Sequence, residues 1–192
     1  MTESDVIVRW VAEGSRVLDL GCGNGRLLRR LWEERRAPGY GVEIQDAHVL
    51  ECIQNDVNVL QLDLEDGLAA FADRSFDVVI LSETLQAIHH QEALLREMLR
   101  VGREAIVSFP NFGYWRHRMQ IALGGRMPVS KELPYQWYDT PNVHHCTLDD
   151  FEALAASLGI RIEERVVLTG GEPVGLLPNL LGASALYRCA AG

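Results

Sequence analysis

The sequence predicts an α/β protein built on a doubly wound, mainly parallel sheet of about seven strands with an antiparallel edge strand. Three observations carry that expectation. Short apolar runs alternate with helix-length amphipathic segments through most of the chain. The first of those runs feeds a glycine-rich turn that opens a helix. The last two strand-like runs lie close together with no clear helix between them, as an antiparallel edge requires.

In order, an amphipathic segment over Asp5 to Val11 precedes the first strand, Arg16 to Leu20. A helix from Arg26 to about Arg36 carries Leu27, Leu28 and Leu31 at helical spacing and stops before Pro38-Gly39. Tyr40 to Ile44 reads as the second strand, Ala47 to Gln54 as a helix and Val57 to Gln61 as the third strand. Phe76 to Leu81 is the fourth. Gln91 to Arg100 has an apolar stripe of Leu94, Leu95, Met98 and Leu99, with Gly102 as its stop signal. Ala105 to Phe109 is the fifth strand, followed by an irregular stretch. Thr147-Leu148-Asp149-Asp150 has the form of a capping box for a helix through Leu158. Ile160 to Leu168 and Ser184 to Cys189 complete the sheet.

With 192 residues and no linker or repeat, the chain is read as a single domain over 1–192. The formal charge of −9, with scattered arginines and Lys131 as the one lysine, argues against a nucleic-acid partner. Cys22, Cys52, Cys146 and Cys189 form no CxxC pair, and no metal site is expected. The absence of a basic-plus-apolar leader and of a long apolar run points away from a membrane and to the cytoplasm.

The chemistry lies in Val17-Leu18-Asp19-Leu20-Gly21-Cys22-Gly23-Asn24-Gly25-Arg26. Glycines between a strand and a helix let the backbone turn tightly and approach a ligand. The spacing is G-x-G-x-G, and Arg26 stands where a dinucleotide fingerprint has its last glycine. Asp19, just ahead of the turn, helps a cationic ligand and opposes a diphosphate. The pattern favours a sulfonium nucleoside over a dinucleotide, with a purely structural turn as the alternative. Glu43, ending the second strand, is placed to accept from both ribose hydroxyls. Asp63, beyond the third strand, is placed to accept from an adenine amino group, with the Leu64 backbone beside it.

Asp19 to Gly25, Glu43 and Asp63 together resemble the class I S-adenosylmethionine-dependent methyltransferase pattern, whose fold is Rossmann-like. More specifically, the chain resembles the methionine biosynthesis protein MetW family. The resemblance runs through Ser15–Gly23, Gly39–Ile44, Phe76–Ser82, Glu97–Gly102, Ser108–Gly113, Gly125–Val129 and Leu133–Asn142. It implies a role in methionine biosynthesis beside a homoserine O-acyltransferase, and S-adenosylmethionine or S-adenosylhomocysteine as the bound group. Asp19, Gly21, Cys22, Gly23, Asn24, Gly25, Glu43, Ile44, Asp63, Leu64 and Ser82 are the expected cofactor-site residues. The fold does not decide whether a methyl group is transferred. Glu83-Thr84, Gln45, His89-His90 and His145 depart from the family pattern, and Gln45 and Glu83 lie near the expected pocket.

Residues 109–138 hold half of the aromatic residues. Following the fifth strand, they should lie over the ligand edge, either as a substrate or partner surface or as a small satellite core. His117, His144 and His145 are candidate general bases, with a packed or surface role as the simpler reading of each. Only Met1 to Gly14 precede the first strand, so the site is expected to be open or completed by another chain.

Overall fold

The computed structural model describes residues 1–192. Its elements are α1 (Glu3–Trp10), β1 (Val17–Leu20), α2 (Arg26–Arg35), β2 (Gly39–Glu43), α3 (Asp46–Gln54), β3 (Val59–Gln61), β4 (Phe76–Ser82) and α4 (Gln91–Val101). There follow β5 (Gly102–Pro110), α5 (Trp115–Gly124), α6 (Leu148–Ser157), β6 (Ile160–Thr169), β7 (Glu172–Pro173), α7 (Pro178–Leu181) and β8 (Ser184–Ala191). They form one eight-stranded sheet in the order β3-β2-β1-β4-β5-β8-β6-β7.

β1 to β5 are parallel, because each crossover carries a helix or a long loop back over the sheet. β8 runs antiparallel to both β5 and β6, two positions inside the sheet's edge, and the edge strand β7 runs antiparallel to β6. The eighth strand is the two-residue β7, folded back on β6 through Gly170-Gly171. It is too short to leave an alternating pattern in the sequence.

Side chains alternate across the sheet and divide the core in two. Val17, Val78, Ile80, Ile106 and Leu186 face α1, α2 and Cys52 of α3. Leu18, Leu20, Val79, Leu81, Val107, Phe109 and Tyr187 face α4 and α6. Strands covered on both faces explain the nearly unbroken apolar runs in the sequence. Each fully buried Leu or Ile among them contributes about 1.5–3 kcal/mol of transfer free energy.

Local signals set the helix ends. Thr2 with Asp5 and Thr147 with Asp150 form capping boxes at the starts of α1 and α6. α4 stops at Gly102, which is extended rather than left-handed, so β5 begins without a connecting loop. Where the sequence reads as irregular after β5, the chain forms α5. That helix buries only His117, so it has no apolar stripe to betray it.

Candidate functional site

The strand order reverses between β1 and β4, which opens a crevice at the carboxyl ends of these strands. The turn after β1 lies in it. The Gly21 and Cys22 amides both donate to the Val42 carbonyl, at 2.8 and 3.1 Å, tying the turn to β2. Gly21 has φ +71°, and a methyl group there would lie 2.5 Å from Thr84 Oγ1. At Gly41 an added methyl group would collide with Cys22 Sγ. Glycine is thus required at Gly21 for the turn to meet the end of β4, and at Gly41 for the turn to lie against β2.

Glu43 ends β2 with its carboxylate buried and held by backbone amides. Oε2 accepts from Gly23 at 2.9 Å, and Oε1 accepts from Ile44 at 2.9 Å and Gln45 at 3.0 Å. His48 Nδ1 lies 3.7 Å from Oε2, beyond hydrogen-bond reach. Each carboxylate oxygen has two lone pairs; those of Oε1 are both engaged, and Oε2 keeps one that can accept a further bond from a ligand. Asp19, only 2% exposed, sits below the turn. Burial, and then the nearby Glu43 charge, push its carboxyl up to about 7. No hydrogen bond offsets this rise, so a cation at the turn would stabilise the ionised form.

The crevice widens into a cleft of about 600 Å³. Of the expected residues, Gly21, Gly23, Glu43, Ile44, Asp63 and Leu64 line it. Asp63 Oδ1 accepts from the Glu65 amide at 2.9 Å, capping the short 3-10 helix Leu64–Asp66. The others stand behind the surface. Cys22 packs against Cys52, sulfur to sulfur at 3.8 Å, and burial raises both thiols. Asn24 receives the Asn55 side-chain amide on its carbonyl at 2.9 Å. Gly25 is the left-handed N-cap of α2. The Ser82 hydroxyl meets that of Ser108 at 3.1 Å.

Several lining residues carry no signal in the first half of the sequence motif. Glu83 and Thr84 follow β4, and Glu83 adopts φ +50°, an uncommon conformation for a residue with a side chain. Enclosure and the neighbouring Glu132 charge raise the Glu83 carboxyl. The far wall comes from the aromatic segment, through Lys131, Glu132, Pro134 and Tyr135, and from Asn142 beyond it. Glu3 of α1 reaches the same end of the sheet, beside the Ser108 and Ser184 hydroxyls; burial, then Glu83, raises its carboxyl. Position after β4 was the available signal for Glu83, whereas Glu3 and Glu132 become neighbours of the site only through folding.

Among the histidines, His117 is fully buried. His145 stacks on Phe112 with centroids 4.9 Å apart. No group of three or more His, Cys, Asp or Glu side chains is gathered as a metal ion would need. No helix is long and apolar enough to cross a membrane.

The family model for methionine biosynthesis protein MetW matches residues 2–189. The chain belongs to the MetW family. The bifunctional methionine biosynthesis protein MetXA/MetW of Rhodopirellula baltica is 41% identical over 173 residues, covering 85% of this chain. The chain spans 28% of that relative's length. Among solved structures, a Thermotoga maritima S-adenosylmethionine-dependent methyltransferase, a possible histamine N-methyltransferase, matches with a TM-score of 0.70 and 20% identity, covering 99% of this chain and 88% of that one. An S-adenosylmethionine-dependent methyltransferase from Archaeoglobus fulgidus matches with a TM-score of 0.71 and 16% identity, covering 97% of this chain and 90% of that one. At these identities the likeness establishes a common fold and nothing more.

Proposed function

We propose that the chain binds S-adenosylmethionine or S-adenosylhomocysteine in the cleft and acts in methionine biosynthesis together with a homoserine O-acyltransferase. The observation that carries the ligand assignment is the pairing of Glu43 with Asp19 at the turn. Glu43 is held rigidly by three amides, with a lone pair left on Oε2 for a ribose hydroxyl. Asp19 supplies a buried carboxylate without a hydrogen-bond partner, which favours a sulfonium and disfavours a diphosphate. Asp63 would accept from the adenine amino group beside Leu64 and Ile44, while Gly21 and Gly23 admit the ligand close to the main chain. Cys22, Asn24, Gly25 and Ser82 would shape this site from behind.

The partner assignment is supported by the Rhodopirellula relative, whose name joins MetXA and MetW in one chain. The aromatic segment supports it as well, since Trp137 and Tyr138 are each 71% exposed and Leu123 is 79% exposed. Apolar side chains of that size on a surface fit a protein interface. Mixing purified chain and acyltransferase tests this reading. It predicts copurification or a changed acyltransferase rate, and indifference in both measurements would refute it.

A second reading is a methyltransferase acting on a small metabolite. It is favoured by the far half of the cleft, where Glu83, Lys131, Glu132 and Tyr135 leave room beyond the nucleoside half. Formation of S-adenosylhomocysteine from S-adenosylmethionine with candidate metabolites tests it.

A further inference from the structure

Glu43 cannot receive two ribose hydroxyls by itself. Its Oε1 already accepts from the Ile44 and Gln45 amides, and its Oε2 from the Gly23 amide. One lone pair is left, on Oε2. A ribose presents two neighbouring hydroxyls, each with a hydrogen to give. The place of Glu43 at the end of β2 suggests an acceptor for both, but the folded chain leaves it room for one. The second hydroxyl needs another partner.

His48 stands where that partner is needed. It belongs to the first turn of α3 and lines the cleft. Its Nδ1 lies 3.7 Å from Glu43 Oε2, too far for a direct hydrogen bond. That nitrogen is shut off from solvent and has no hydrogen-bond partner, although the side chain as a whole is 39% exposed. A buried polar atom without a partner is uncommon, because its lost hydration goes uncompensated. The helix holds the gap open. Cys52, one turn after His48 on the same face of α3, donates to the Gly23 carbonyl at 3.1 Å. The Gly23 amide in turn bonds Oε2, so α3, the glycine turn and Glu43 are tied through one residue.

We propose that His48 is a ligand-binding residue that shares the ribose diol with Glu43. Oε2 accepts from one hydroxyl, and His48 Nδ1 bonds its neighbour. Two polar atoms 3.7 Å apart thus meet two oxygens on adjacent carbons. A hydroxyl both donates and accepts, so it suits either tautomer of the neutral ring. Torsion about Cβ–Cγ is soft in histidine, which lets the ring turn Nδ1 towards the arriving group. This inference rests on the nucleoside reading of the cleft and deepens it, since selection falls on the pair of hydroxyls rather than on one.

The test is a calorimetric titration of the wild-type, His48→Phe and His48→Asn chains with S-adenosylhomocysteine and its 2′-deoxy and 3′-deoxy analogues. Phe keeps the bulk of the ring without a polar atom, whereas Asn keeps a polar atom near the place of Nδ1 in a smaller side chain. His48→Phe should weaken S-adenosylhomocysteine binding about three- to tenfold, the range of one neutral hydrogen bond, and His48→Asn should stay within about twofold of wild type. Both deoxy analogues should bind the wild-type chain more weakly than the parent nucleoside. Towards His48→Phe, one analogue and not the other should match the parent, because the hydroxyl it lacks has lost its partner. A packing role reverses the order, leaving His48→Phe close to wild type and His48→Asn weakened. That order, or equal binding by all three chains, overturns the role of His48 and leaves the nucleoside reading standing. So do deoxy analogues that bind the wild-type chain as tightly as the parent. A second measurement needs no substitution: the His48 ring 15N signals should move further with the parent than with one of the two analogues. Equal shifts with all three ligands overturn the inference. A folded wild-type chain that binds none of them overturns the nucleoside reading, and the role of His48 with it.

Discussion

The Glu43 carboxylate and the Gly23 amide are joined at 2.9 Å, so the glycine turn after β1 is fastened to the end of β2 by the side chain expected to hold the ribose. One group thus builds the turn and faces the cleft. Glu43→Ala removes both contributions. Nucleoside affinity should fall by about 1–3 kcal/mol, the usual effect of losing a charge-assisted partner. The melting temperature should fall too, because the Gly23, Ile44 and Gln45 amides lose their acceptor. Calorimetry and thermal melts check both halves, and unchanged affinity would take Glu43 out of the site.

Asp19 predicts a pH dependence of stability with a definite sign. Its carboxyl is raised from 3.8 to about 7 in the folded chain, so the folded state holds a proton that the unfolded state has released. The stabilising contribution of that proton is complete below pH about 4 and is lost as pH rises through about 7. Asp19→Asn should abolish this dependence and stabilise the chain at pH 8, by up to about 4 kcal/mol. Denaturant titrations of both proteins at pH 5 and pH 8 measure it. If their difference is the same at the two values, Asp19 does not titrate in this window.

The same carboxylate should discriminate between ligands. S-adenosylmethionine carries a sulfonium where S-adenosylhomocysteine has a neutral sulfur. Affinity for the former should rise more steeply as pH increases from 6 to 8, when Asp19 ionises. Parallel pH profiles for the two ligands would place the sulfonium away from Asp19.

Gly21 has no room for a side chain, since a methyl group would press on Thr84 and the backbone is left-handed. Gly21→Ala should cost about 1–3 kcal/mol of stability and weaken nucleoside binding with it. Gly14→Ala is the control, because φ is +75° there with nothing within 4 Å. It should show the backbone strain without the loss of binding.

Trp137 and Tyr138 pack edge-to-face on each other and remain largely exposed. Replacing both by Ala should change stability by no more than about 0.5 kcal/mol and weaken association with the acyltransferase at least about tenfold. A pull-down titration reads the second number. Undiminished association would move the interface elsewhere on the chain.

Most of the parallel sheet was legible because strands covered on both faces leave long apolar runs, and because the glycine turn marks the β1–α2 junction. Glu43 and Asp63 were legible as acidic residues ending successive strands, which the fold brings to one cleft. α5 was not, because its buried face is a single histidine rather than an apolar stripe. Nor were β7 or the first turn of β3, where Val57 and Asn58 remain outside the ladder. The far wall of the cleft depends on contacts between residues distant in sequence. Glu132 meets Glu83 only after the segment following α5 folds back over β4, and no periodicity records that.

The most direct measurement is a calorimetric titration of the folded chain with S-adenosylhomocysteine, S-adenosylmethionine and NAD. The predicted result is 1:1 binding of both sulfur nucleosides with dissociation constants on the order of micromolar, about −8 kcal/mol, and no binding of NAD. Binding of NAD, or of none of the three by a chain shown to be folded, would contradict the assignment of Asp19 and Glu43 to a sulfonium-nucleoside site.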